Sequence, residues 1–264
     1  MAKTERELAF LRDFEITDNW TNRFTELLDK HVSFKEAKSI LYINAGTGDH
    51  CIALREKADE ATEMVATCEN EELLSIARDK GSAVNAKVDF SRNDFDDSAF
   101  DAVIADASFT RPGAIEELVS EAARVARPGG EVAIVLPSSG SFGEIFSLLW
   151  EVLFNEDLGE HGHAAESMIT EIPSLSRVEE MASRAGLTNV ETQSANEIFE
   201  FGNGAEFVRS PLVADFLLPV WLETLSEEEK ERVYDKLAQL IDDEDGSLSF
   251  RFSVKATLVT GKKA

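Results

Sequence analysis

Gly46-x-Gly48, within the run Ala45-Gly46-Thr47-Gly48-Asp49, is the first place where residue types and spacing point to chemistry. Two glycines one residue apart, between an apolar strand and a helix, let backbone N–H groups approach a nucleotide-like ligand. Alone the signal is weak, because a tight strand-to-helix turn calls for glycine anyway. His161-x-His163 is the second such place, either half of a metal site or a base beside a reacting atom. No cysteine lies near it and Gly162 separates the rings, so an exposed polar loop accounts for the pair better. His50 stands just past the glycine turn, at a helix start that suits ligand contact and plain structure equally. Cys51 and Cys68 have no CxxC spacing, which argues against a zinc knuckle or a disulfide framework.

The elements that must position these residues follow from hydrophobic spacing. Leu8, Leu11 and Phe14, then Trp20, Phe24, Leu27 and Leu28, recur at three- and four-residue steps and predict helix across 1–35. Short apolar runs predict strands at 39–44, 64–68, 83–90, 100–105 and 131–136, with helices at 50–61, 71–80 and 113–126 between them. Such alternation is the pattern of a parallel sheet covered on both faces. The second half departs from it. An apolar helix at 141–154 precedes a polar segment at 155–171, and an amphipathic helix at 174–185 stops at Gly186. An extended stretch at 190–200, two helices at 205–225 and 227–241, and a long strand at 247–260 complete the chain. In that strand Leu248, Phe250, Phe252, Val254, Ala256 and Leu258 alternate with mostly polar residues, as in an antiparallel strand with one buried face. No Pro/Ser/Gly-rich linker interrupts the chain, which reads as a single domain over 1–264.

The 264 residues carry 26 Lys+Arg against 51 Asp+Glu, a net charge of −25. A surface so acidic repels phosphate backbones and anionic lipid, which argues against nucleic acid and membrane-surface partners. The N-terminus is charged from its third residue and has no apolar h-region, and the most apolar runs are too short to span a bilayer. A cytoplasmic protein with reduced thiols is expected. Residues 151–200 hold 11 acids and 2 bases, which suits a cationic partner or a salt-adapted surface. Phe142, Phe146, Leu149, Trp150, Phe154, Phe216, Leu217, Leu218 and Trp221 suit an apolar acceptor pocket, a subunit interface or plain core.

The specific signal is a combination. The stretch from Phe100-Asp101-Ala102-Val103-Ile104-Ala105 leads through a helix to Arg124-Val125-Ala126-Arg127-Pro128-Gly129-Gly130 and a further strand. This block resembles the class I S-adenosylmethionine-dependent methyltransferases, in particular the small-molecule branch that includes ubiquinone and menaquinone biosynthesis enzymes. Gly46-x-Gly48 and the 71–78 helix fit the family's first two blocks, and the final strand fits its closing hairpin. The resemblance implies a Rossmann-like, doubly wound α/β sheet of seven strands with an antiparallel last strand and helical additions. It divides the chain into an N-terminal helical cap (1–37), a cofactor-binding core (38–137) and acceptor-side helices with closing strands (138–264). It also implies S-adenosyl-L-methionine as cofactor. Ala45, Gly46 and Gly48 would approach its methionine part, the residues after the second strand its ribose, Asp89 and Phe90 its adenine, and Asp106 the methyl group.

Three positions depart from the family pattern. Tyr42 and Asn44 stand where the family has an acid and a glycine, and Cys68 stands at the ribose-binding acid, with Glu69 one residue later. A carboxylate accepts both ribose hydroxyls at once, whereas a thiol does not. The expected function is therefore methyl transfer to a small-molecule acceptor. The alternative is a catalytically weakened or inactive relative acting as a binding or assembly partner, and a homo-oligomer suits either. A dehydrogenase is disfavoured because Cys51 breaks the third glycine position of GxGxxG.

Overall fold

The central strand, β1 (Ser39–Ile43), is apolar on both faces, with Ile40, Leu41 and Tyr42 all buried, so it can only sit inside a covered sheet. A computed structural model describes residues 3–91, 94–245 and 249–264. On one side of β1 lie β2 (Glu63–Ala66) and β3 (Asp89–Phe90); on the other lie β4 (Phe100–Asp106) and β5 (Ala126–Ser138). All pair in parallel, with Leu41 between Val65 and Val103 and Val103 opposite Val132. β6 (Leu187–Phe201) and β7 (Phe250–Lys263) complete the order β3-β2-β1-β4-β5-β7-β6. Thr188 Oγ1 donates to Lys262 O at 3.0 Å and Ser194 meets Thr257 at 3.3 Å, so partners ascend β6 as they descend β7. The sheet is thus a doubly wound, Rossmann-like α/β sheet of seven strands whose closing strands run antiparallel.

An acid at the start of β4 fixes the register of the central pair. Asp101 Oδ2 accepts the backbone N–H groups of Lys38 and Ser39 at 2.9 and 3.0 Å, and Arg127 meets Oδ1 at 2.7 Å. Burial pushes its pKa up, but those donors outweigh burial and leave it below the ordinary value. The Phe-Asp dipeptide and the Arg-Pro-Gly-Gly turn of the sequence are therefore a structural clamp. Gly130 is part of it, since a Cβ there would come within 2.8 Å of Arg127 O.

Two compact units divide the chain: Met1–Pro137 with Ser174–Ala195 and Ala256–Ala264, and Ser138–Pro173 with Asn196–Lys255. The core of the first is aliphatic, built on Leu41, Val103, Val119, Val132, Val178 and Val259. That of the second is aromatic: Trp221 lies 4.8 Å from Phe146 and 5.2 Å from Phe142, and Phe252 stacks on Phe199 at 4.8 Å. Phe142, Phe146 and Trp221 therefore serve as packing for one another, while Trp150 and Phe154 are exposed.

Local departures from the sequence pattern have local causes. The helix Glu71–Ala83, capped by Asn70 Oδ1 on Leu73 N, runs to the point where Asn85 turns left-handed at φ +53, and the third strand shrinks to Asp89–Phe90. The polar stretch before Ser174 is helical over Gly162–Thr170, and Gly162 is required because any Cβ there would run into the Trp150 ring. Residues 12–21 wind as a π-helix between two α-helices. The final strand begins later than its alternation suggests, and Ser247 and Leu248 lie outside the described residues.

Candidate functional site

At the C-terminal end of β1 the backbone turns left-handed at every second residue: Asn44 at φ +60, Gly46 at +58 and Gly48 at +86. Such alternation turns successive N–H groups to one side and makes a concavity for a polar ligand. Asn is the non-glycine residue that best tolerates this region. Its side chain folds away, Nδ2 donating to Asp106 O at 3.2 Å, so the place of the family glycine is filled without closing the turn. Gly48 has no such latitude, because a Cβ would lie 3.0 Å from both Ala77 and Phe90. The helix Asp49–Lys57 starts directly after it and aims its N-terminus at the concavity.

Three carboxylates were expected around this turn, and the structure distributes them unequally. Asp106 ends β4 and is buried, with Oδ1 accepting Ser108 N–H at 2.7 Å. Burial raises its pKa, and neither Ser108 nor the positive charge of Arg12 cancels that rise, to which Glu69 adds. Glu69 follows β2 and pairs with Arg12 at 2.8 Å. Cys68 is buried beside it, a thiol turned from the surface. Asp89 is exposed on the edge strand β3, whereas the Phe90 ring is wedged between Gly48 and Gly81. Ser91, next along, is buried, and its hydroxyl finds no hydrogen-bond partner among the described residues. The turn, Glu69 and Asp106 thus come together through Arg12, whereas Asp89 is exposed.

Tyr42, the other departure from the family pattern, is buried with its hydroxyl 3.0 Å from His50 Nδ1; His50 Nε2 lies 3.3 Å from Asp29. The hydrogen bond from His50, opposed by partial burial and helped by Lys57, draws the Asp29 pKa down to about 2. His50 therefore links β1 to the helix Asn22–His31, which accounts for it structurally. His161 contacts Thr224 and Glu160, His163 is exposed, and no cluster of metal-ligating side chains occurs among the described residues.

The profile of the ubiE/COQ5 methyltransferase family matches residues 9–199. The chain belongs to this family. Its sequence is 30% identical to the demethylmenaquinone methyltransferase of Thermus thermophilus over 169 residues, 58% of this chain and 76% of that protein. It is 27% identical to that of Deinococcus radiodurans over 164 residues, 56% and 67% of the two. The YcgJ protein of Bacillus subtilis shares the fold at a TM-score of 0.60 and 16% identity, over 92% of this chain and 98% of that one. A phosphoethanolamine N-methyltransferase of Haemonchus contortus, bound to S-adenosylhomocysteine, does so at 0.58 and 14% over 98% and 58%. The protein is a class I methyltransferase whose cofactor is S-adenosyl-L-methionine.

The residues present fit that cofactor. The left-handed turn offers backbone donors, Glu69 would supply the carboxylate that Cys68 lacks, and the Ser91 hydroxyl, without a partner among the described residues, sits at the same end of the sheet. The buried carboxyl of Asp106 would suit a neighbouring sulfonium cation. Sequence reasoning missed Arg12 and Phe109, whose ring lies 4.2 Å from the Arg12 guanidinium carbon. The signal was available: Arg12, Ile16 and Trp20 form a buried stripe at four-residue spacing, and a charge on such a stripe is rarely left without a purpose.

Proposed function

We propose that the protein transfers the methyl group of S-adenosyl-L-methionine to a small apolar acceptor of the demethylmenaquinone kind. The observation that carries this reading is the convergence of the Asn44–Gly48 turn, Glu69 and Asp106 at the C-terminal ends of β1, β2 and β4, where open α/β sheets bind ligands. In this reading Asn44, Ala45, Gly46 and Gly48 hold the methionine part, and Glu69, in place of Cys68, accepts the ribose hydroxyls. Asp89 and Phe90 mark the adenine end and Asp106 faces the methyl group. The acceptor class is supported by relatives named for demethylmenaquinone methylation. Catalysis then rests on alignment of donor and acceptor and exclusion of water, without a strong base. A cytoplasmic setting suits the acidic surface and the two buried cysteines, and no helix among the described residues is long and apolar enough to cross a membrane.

Incubating the protein with S-adenosyl-L-methionine and a short-chain demethylmenaquinol tests the reading by mass spectrometry. It predicts a product heavier by one methylene, formed in step with S-adenosylhomocysteine. Cofactor binding without any methylated quinol would overturn the acceptor class.

A further inference from the structure

The N-terminal π-helix, Arg12–Thr21, lies on the glycine turn and is tied to it along its length. Thr17 meets Thr47 at 3.4 Å, and Trp20 packs on Phe109 at 5.4 Å. Asp13 is joined to Asp49 through Lys80, whose Nζ lies 2.6 Å from Asp49 Oδ2. Within this strap the Arg12 guanidinium lies against the turn, Nη2 being 3.5 Å from where a Gly46 Cβ would stand. π-Helical turns of this kind are rare and cluster at functional sites.

The cofactor poses a charge problem that this arrangement answers. Its sulfonium and ammonium groups are cations, welcome beside Glu69 and Asp106, but its α-carboxylate enters a chain of net charge −25. Lys80 is already committed to Asp13 and Asp49. The Arg12 guanidinium has five N–H donors, and its hydrogen bond among the described residues uses Nη2 alone. Its partner Glu69 is partly exposed and is the group that the cofactor's ribose requires.

Resting on the cofactor seat described above, we propose that Arg12 recognises the α-carboxylate of S-adenosyl-L-methionine. Glu69 holds the guanidinium over Gly46 until the ligand arrives. The ribose hydroxyls then take the Glu69 carboxylate, and Arg12 turns to the ligand's carboxylate in a fork-to-fork pair. No bond is made or broken beyond these hydrogen bonds. Arg12 is thus a specificity residue: it separates ligands that carry the amino-acid end of the cofactor from those that carry only its nucleoside and sulfur.

Titration calorimetry with S-adenosylhomocysteine and 5′-methylthioadenosine, which lacks the amino-acid end, tests this on the wild type, Arg12→Met and Arg12→Lys. Arg12→Met should weaken S-adenosylhomocysteine by roughly ten- to a hundred-fold, the range of one charge-assisted pair, and leave methylthioadenosine equal or tighter, since its ribose no longer competes with Arg12 for Glu69. Arg12→Lys should recover part of the loss. Urea unfolding of each variant confirms that the folded state is compared. Equal loss or equal gain of both ligands would make Arg12 a mere prop or plug and overturn the proposal, as would no change in either. A folded wild type that binds neither ligand would remove the cofactor seat itself. Binding of both with an unmoved ratio would remove the role of Arg12 alone.

Discussion

The two ends of β4 each carry an aspartate, and the contrast between them separates scaffold from site. Asp101, at the start, meets two backbone N–H groups and Arg127 and has a lowered pKa. Asp106, five residues on, is buried, has a raised pKa, and lies in the field of Arg12 and Glu69. A carboxylate supplied with donors holds a structure together; a carboxylate denied water and short of donors stores free energy that a cationic ligand can release. Both acids are read from one short strand, so it is the end of the strand, rather than the residue type, that distinguishes the clamp from the proposed cofactor contact.

The contrast can be broken most severely at the turn beside Asp106. Gly48→Val combines a left-handed φ with contacts at 3.0 Å and should cost about 3 kcal/mol or more, seen as a lower urea midpoint. Asp101→Ala should cost about 2 kcal/mol while leaving cofactor affinity of the folded protein unchanged. Lost affinity with unchanged stability would erase the distinction between the two ends. Asp106→Asn should alter stability by no more than about 1 kcal/mol near neutral pH and should flatten its pH dependence. The sign follows from the raised pKa. Between the unfolded carboxyl value of about 3.9 and the folded value, the native state holds the extra proton, so stability falls as pH rises through that window. Urea midpoints of wild type and Asp106→Asn across that range measure it. The smallest effect is expected for Asn44→Gly, within about 1 kcal/mol, since glycine's ease at φ +60 offsets the lost bond to Asp106 O.

The sheet was legible because apolar runs such as 39–43 and 131–136 have no place but a covered sheet, and the strand-turn-helix after β1 follows from Gly46-x-Gly48. β3 was overestimated because the helix before it and its two-residue pairing are set by Asn70 and Asn85, polar residues that leave no trace in hydrophobic spacing. The candidate site was legible where it is made of backbone. It was hidden where it depends on side chains distant in sequence: the suspicion that Asn44 and Cys68 signal lost catalysis came from identity alone. The left-handed φ of Asn44 and the placing of Glu69 against Arg12 fifty-seven residues away appear only in three dimensions.

The most direct test of the cofactor seat is isothermal titration of S-adenosylhomocysteine into the wild type and Glu69→Ala. Saturable one-to-one binding by the wild type, weakened at least roughly ten-fold in the variant while the variant stays folded, is the predicted result. Equal affinity in both proteins would contradict the assignment of Glu69 to the ribose, and no binding by a folded wild type would contradict the seat altogether.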